Sequence, residues 1–255
     1  MDEPTVRAYL DRIGAQRPSV LDEAALRALH RAHLMTVPFE NLSIHLSEPI
    51  SLEEADLVSK IVTRRRGGFC YELNGTFALL LEALGADVVR VAARVYGDGR
   101  LGPPFDHLAL IVGLPGGARW LADVGFGSHS TYPLRFDVGP QQDDPAGQFA
   151  LADADGDDVD VLKDGQPQYR IERRERSLEQ FVPTCWGQQT SPASHFTQST
   201  ICSRLTEGRI SLSGRTLIRT AGRSRTEQHL PTDDAVLAAY RDHFGVILDR
   251  VPARP

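Results

Sequence analysis

The chain has few cysteines, no long apolar run and no excess of positive charge. Three cysteines stand in 255 residues, at positions 70, 185 and 202. They cannot all pair, and their separations do not suggest a disulfide framework, so a reduced cytoplasm is the expected home. No stretch reaches the roughly 18 apolar residues a membrane-spanning helix needs, and no early apolar run resembles a signal peptide. A formal net charge of −6 removes the electrostatic case for nucleic acid or an anionic membrane surface as partner. Cysteines and histidines do not recur at paired ligand spacing, so no metal is expected. Internal repeats are absent. What remains is an ordinary soluble composition, 41% hydrophobic and 24% charged, long enough for one large domain or two to three small ones.

The periodicity divides the chain. Val6, Tyr9, Leu10 and Ile13 keep a helical rhythm that stops at Gly14. Ser19 to Asp22 offers a capping box before Leu26, Leu29, His33 and Leu34, and Pro38 ends that element. Phe39 to Leu42 then reads as a loop. Ser51 to Glu54 repeats the capping pattern before Leu57, Val58, Ile61 and Val62, with Arg64 to Arg66 in the last helical turn. A further helix carries Leu73, Phe77, Leu80, Leu81 and Leu84 and closes at Gly85, which makes about four helices up to residue 86. From there the pattern turns to strands. Val88 to Val95 is rich in β-branched residues, and 107–124 reads as a hairpin turning near Pro115-Gly116-Gly117. Short strands follow near 148–151, 159–162 and 168–172, forming an antiparallel barrel or sandwich. The last part is mixed. It has a short helical piece at 177–181, a loop from Ser191, strands between 200 and 230, and a final helix carrying Val236, Leu237, Tyr240 and Phe244. Pro252 to Pro255 are expected to fray.

Within this frame one stretch invites chemistry. Arg64-Arg65-Arg66-Gly67-Gly68-Phe69-Cys70 leads straight into the helix that begins near Leu73. A cysteine in a first helical turn sits among unpaired backbone N–H groups at the positive end of the helix dipole, which favours the nucleophilic thiolate. The plainer account of Cys70 is a small buried hydrophobe. A cysteine nucleophile needs a base, and the base needs an orienting group. Of eight histidines, His30 and His33 are explained by core-edge or surface positions on a helix, and His229 and His243 by solvation. His45, His129 and His195 sit in loops and stay open as candidates. His107 differs, because it opens an apolar strand after a Gly- and Pro-rich loop. Asp123 ends the partner strand, where a carboxylate among apolar residues is costly unless paired. The hairpin brings His107 and Asp123 to one open end, although Asp123 could equally cap the turn at Gly125.

Several motifs, taken together and in order, resemble one known family. Arg66 to Asn74 resembles the cysteine motif of the arylamine N-acetyltransferases, and Val37-Pro38-Phe39-Glu40-Asn41-Leu42 resembles that family's other N-terminal signature. His107-Leu108, Asp123-Val124-Gly125-Phe126-Gly127 and Thr190 to Phe196 match in order and approximate spacing, so the resemblance spans nearly the whole chain. It implies an α+β fold of three parts: an N-terminal helical bundle (1–86), a central antiparallel β-barrel (87–190) and a C-terminal α/β lid (191–255). These surround a Cys-His-Asp core like that of cysteine proteases.

The resemblance also implies a ping-pong reaction. Cys70 takes an acetyl group from acetyl-coenzyme A and passes it to an arylamine, hydrazine or N-hydroxyarylamine. His107 acts as base and acid or as the imidazolium partner of a Cys70 thiolate, Asp123 fixes its ring, and the Cys70 N–H faces the oxyanion. Phe39, Phe69 and Phe126 become pocket walls, though each could be plain core, and Gly125 and Gly127 let the pantetheine arm pass. Glu40 and Arg66 become a structural ion pair behind the cysteine. Cys185 and Cys202 are read as structural. A compact segment between Val95 and His107, with little after the final helix, leaves the coenzyme A contacts unassigned. It also keeps a related reading open: an amide synthase that takes an aromatic-amine-primed polyketide chain from an acyl carrier protein and cyclises it. The ordered match argues against a protease or transglutaminase, and the intact triad against a non-catalytic domain.

Overall fold

A computed structural model of the chain describes residues 1–137 and 139–253. The expected fraying at Pro252–Pro255 falls partly outside them. Helix α1 (Glu3–Ile13) starts where the Asp2 carboxylate accepts the Thr5 N–H and stops at left-handed Gly14. Helix α2 (Glu23–Thr36) is capped by Asp22, which accepts the Ala25 N–H, so the cap is the last residue of the Ser19–Asp22 stretch. The segment after Pro38 is not the expected loop. Phe39–Glu40 forms a two-residue strand, β1, followed by the short helix α3 (Leu42–Leu46). Helix α4 (Glu54–Val58) passes into a π-helical turn, Ser59–Thr63, that ends before the arginines. Arg65 has φ 54°, so Arg64–Arg66 lie beyond the helix rather than in its last turn. Helix α5 (Cys70–Ala83) is buried on nearly every side, which is why its face looks apolar over so wide an arc.

The middle of the chain is an antiparallel sheet. Its strands are β2 (Asp87–Gly97), β3 (Arg100–Leu101), β4 (His107–Gly113), β5 (Arg119–Ala122), β6 (Leu134–Arg135), β7 (Gln142–Asp144), β8 (Gly147–Asp153), β9 (Val159–Lys163) and β10 (Gln166–Glu175). Among the described residues they run in the order β6-β5-β4-β2-β10-β9-β8-β7, with β3 paired to β2. The outermost strands nearly meet. The Arg135 N–H donates to Gln142 Oε1 at 2.6 Å, and Gln142 Nε2 returns a bond to the Arg135 carbonyl at 3.0 Å. That side-chain bridge turns the sheet into a nearly closed barrel, the α+β architecture the resemblance implied. Strand β4 is buried on both faces. Ala109 and Ile111 point into the barrel with Phe149, Val161 and Tyr169, while Leu110 and Val112 pack against Phe77 and Leu81 of α5. Its unbroken apolar run follows from that position.

The rest of the chain holds a 3₁₀ turn (Leu178–Phe181), α6 (Val182–Thr190) and α7 (His195–Gln198). It then forms strands β11 (Ile201–Leu205), β12 (Arg209–Ser213), β13 (Thr216–Ala221) and β14 (Ser224–His229), and ends in α8 (Asp233–Phe244). The second sheet has the order β1-β11-β12-β13-β14. Strand β1 pairs Phe39 with Ser203 and Glu40 with Cys202, tying the N-terminal signature to the C-terminal part. Val236, Tyr240 and Phe244 lay α8 on this sheet. Among the described residues no helix is long and apolar enough to cross a membrane.

Candidate active site

Cys70 is the first residue of α5, so its backbone N–H has no intrahelical acceptor. The turn before it is held tightly. Gly67 lies directly against the Pro38 carbonyl, where any side chain would overlap that oxygen. The Phe69 N–H donates to Glu72 Oε2 at 3.2 Å, and the same carboxylate meets Lys60 Nζ at 2.6 Å. Burial pushes the Cys70 thiol well above its ordinary value, opposed by the Leu108 N–H that donates toward the sulfur. A thiol in this setting needs a neighbouring base to become nucleophilic.

His107 is the candidate for that base. His107 Nε2 and Asp123 Oδ2 are 2.7 Å apart, both side chains being buried. Since an ionised carboxylate only accepts, Nε2 carries the proton and Nδ1 is left to take or give one. Burial works to raise Asp123, yet the His107 charge and hydrogen bond, with His129 and the Asn74 amide, hold it well below the usual carboxylate range. Its two oxygens are saturated. Oδ1 accepts Asn74 Nδ2 at 2.8 Å and the Gly125 N–H at 2.9 Å, and Oδ2 also accepts the Tyr169 hydroxyl at 2.9 Å. Asp123 therefore serves as more than a turn cap, although it bonds to Gly125 as a cap would.

Asn74, one helical turn beyond Cys70, joins these pieces. Besides Asp123, its amide donates to the Leu108 carbonyl at 2.6 Å and accepts the Val124 N–H at 2.9 Å. Gly125 fits into the same contact, because a Cβ there would come within 2.8 Å of both Cys70 Cα and Asn74 Nδ2. Its missing side chain lets the loop lie on the cysteine. Behind the site, Arg66 Nη2 meets Glu40 Oε1 at 2.9 Å and Arg66 Nη1 meets Glu48 at 3.1 Å, while Glu40 also accepts the Leu42 N–H at 2.7 Å. Lys60–Glu72 is a second buried pair that the residue pattern did not announce. The π-helical turn departs from the 3.6-residue period and carries Lys60 inward.

Cys70 and His107 open on one cavity of about 700 Å³. Phe39, Phe126 and Gly125 line it. Phe69 does not. It is fully buried, edge-on to Tyr71 at 5.0 Å and to Phe196 at 5.4 Å, so its ring supports the wall from behind. Phe196 takes the place on the wall itself. Asn41 fixes that segment, donating to the Phe196 and Ser199 carbonyls at 2.9 and 2.7 Å and accepting the Ile201 N–H at 2.8 Å. Gly127, with φ +86°, turns the backbone next to the Phe39 ring.

Of the histidines left open, His195 borders the cavity, His45 contacts the Phe196 carbonyl at 3.0 Å, and His129 is buried among Phe126, Phe149 and Tyr169. His30 and His33 are fully buried, not edge residues. Asn74 had a signal in the sequence: an amide in the middle of an apolar helix. Tyr169 had none, since it is one of several alternating strand residues.

Comparison with known proteins agrees with this geometry. A family model described as N-acetyltransferase matches residues 22–252. The arylamine N-acetyltransferase of Mycolicibacterium smegmatis is 36% identical, the match covering 96% of this chain and 93% of the relative. The arylamine N-acetyltransferase of Escherichia coli is 31% identical over 96% of this chain and 90% of its own. A solved structure of Mycobacterium marinum arylamine N-acetyltransferase in complex with CoA superposes with a TM-score of 0.86 at 31% identity, covering 94% of this chain and 92% of that one.

Proposed function

The chain belongs to the arylamine N-acetyltransferase family, and on that premise we propose that it carries an acetyl group from acetyl-coenzyme A, through a Cys70 thioester, to the nitrogen of an arylamine, hydrazine or N-hydroxyarylamine. The observation that supports this most is that His107 lines the same cavity as Cys70 while its Nε2 is held at 2.7 Å by the buried Asp123 behind it. In the first half-reaction, His107 Nδ1 takes the thiol proton as sulfur attacks the thioester carbonyl. The Cys70 N–H faces the developing oxyanion. The carbon–sulfur bond to coenzyme A breaks, and the leaving thiolate receives the proton from His107. In the second half-reaction the amine attacks the Cys70 thioester and gives its proton to His107. The Cys70 thiolate then leaves and is reprotonated. Asp123 stays ionised, stabilising the imidazolium and fixing the ring.

Taking the chain as three parts, 1–86, 87–190 and 191–255, each supplies some of the cavity wall. Phe39, Phe126 and Phe196 would hold the flat amine, and the backbone at Gly125 and Gly127 would lie along the pantetheine arm. Glu40 and Arg66 would keep the cysteine turn in place. The CoA complex of the M. marinum relative supports a coenzyme A-linked donor. The relatives named above give no support to a carrier-protein donor or to the amide-synthase reading. Mass spectrometry after incubation with acetyl-coenzyme A tests the scheme. Cys70 is expected to gain one acetyl group, which a small arylamine then removes. A Cys70 peptide that stays unmodified would overturn the donor assignment.

A further inference from the structure

His30 projects from α2, one helix away from the reacting atoms, and is fully buried. Its Nδ1 lies 3.1 Å from the Thr131 carbonyl oxygen. A carbonyl only accepts, so Nδ1 carries the proton. Nε2 is then a lone-pair acceptor, and it takes the backbone N–H of Asp123 at 3.2 Å. The ring also stands edge-on to Phe77, on the helix that Cys70 opens, at 6.2 Å.

We propose that His30 is a positioning residue of acetyl transfer: as a neutral, Nδ1-protonated ring it holds the Asp123 main chain, and so aims the carboxylate that orients His107. The inference rests on the triad function proposed above. The direction of the Asp123 side chain is set by its Cα–Cβ bond, and hence by how the main chain is rotated there. Four donors converge on the two carboxylate oxygens, but they meet a carboxylate whose own backbone N–H is held by His30, while Asn74 holds the next one, that of Val124. The second bond of His30 ties this root to Thr131. The Thr131 and Tyr132 N–H groups are in turn held by Asp144 at 2.9 and 3.0 Å. The loop that follows Phe126 is thereby referenced to the same ring that references the triad.

A proton on Nε2 would set N–H against N–H, so the device works only when His30 is neutral. The charged and titratable groups around it are Asp123, Asp144, His33 and His129. Burial outweighs the two carboxylates and holds His30 down to about 4.

His30→Phe keeps a flat ring but removes both bonds, whereas His30→Gln restores an amide that can accept the Asp123 N–H. Two readouts separate positioning from mere stability: the rate of Cys70 alkylation by iodoacetamide as a function of pH, and kcat against KM. The Phe variant is expected to lose about tenfold in kcat, with KM for the amine changed less than about twofold, the size of effect a buried N–H left without a partner can produce. Its alkylation midpoint is expected to move, and Gln should restore most of both. A Phe variant with wild-type kcat and midpoint would overturn the proposal, as would a loss that leaves the midpoint in place and that Gln does not repair. If the Phe variant does not fold, ¹⁵N NMR of the wild-type imidazoles decides: an Nε2–H or doubly protonated His30 near neutral pH overturns it. Alkylation and NMR need no acetyl donor, so a wild-type enzyme that acetyl-coenzyme A fails to label would sink the donor assignment and leave this test standing.

Discussion

Asn74 and Asp123 are joined by a 2.8 Å hydrogen bond that crosses from the helix opened by Cys70 to the loop carrying the carboxylate. Since the same amide also bonds Leu108 and Val124, one side chain sets the spacing between Cys70, His107 and Asp123. Asn74→Ala would leave a buried carbonyl and a buried N–H without partners. We expect a loss of about 3 kcal/mol in stability by urea unfolding and roughly tenfold slower alkylation of Cys70. Full retention of the alkylation rate would show that the loop holds its place without the amide.

Acid should weaken the fold before the carboxylates titrate. Burial holds His30 and His129 at about 4 and His33 well below its ordinary value. In the unfolded chain these rings titrate near about 6.5. Between the two values the unfolded state binds more protons, so stability is fully present above about pH 6.5 and falls as pH drops toward about 4. Each ring adds at most about 1.4 kcal/mol per pH unit in that window. Urea midpoints measured at several pH values should fall steadily through it, and His30→Gln should flatten the slope. Midpoints level from neutrality to pH 5 would contradict buried neutral rings.

The helical start, the strand-rich middle and the closing helix were legible because their apolar periods are long and their ends carry caps. The hairpin that sets His107 beside Asp123 was legible for the same reason, with a Gly-Gly turn between two apolar runs. What could not be read was decided by distant partners. Phe39–Glu40 is a strand only because Ser203 and Cys202 lie beside it, more than 160 positions along the chain, and two residues carry no period of their own. Strand β6 is as short and β7 one residue longer, and the two close the barrel. Lys60 escaped notice because a π-helical turn breaks the spacing that assigns faces. The burial of the Cys70 thiol was likewise set by distant residues, only the helix start being visible in the sequence.

The phenylalanines divide by position. Phe69 is fully buried, so Phe69→Ala should cost about 3–5 kcal/mol in stability and lower activity through that loss. Phe196 is half-buried on the cavity wall, so Phe196→Ala should cost less than about 2 kcal/mol yet raise KM for an arylamine about tenfold. Urea unfolding alongside steady-state kinetics distinguishes the two. A Phe69 variant of normal stability with a raised KM would return that ring to the pocket.

The Lys60–Glu72 pair gives the last prediction, because it links charge, backbone and nucleophile in one chain. Both side chains are almost wholly buried at 2.6 Å, and Glu72 also grips the Phe69 N–H just before Cys70. Burial raises Glu72 more than its Lys60 partner lowers it. Lys60→Met removes the cation and leaves an uncompensated carboxylate, expected to cost about 3–5 kcal/mol at neutral pH. A carboxyl group whose folded value lies above its unfolded one contributes fully below the unfolded value and loses that contribution as pH rises through the folded value. The deficit relative to wild type should therefore shrink as pH falls and Glu72 takes up a proton. Adding Glu72→Gln to Lys60→Met should recover much of the loss at neutral pH, since a neutral amide oxygen still accepts the Phe69 N–H. Unfolding curves for the single and double variants at two pH values test this. A deficit that does not change with pH, or a double variant no better than the single, would mean that Lys60 acts through its packing and not through its charge on Glu72.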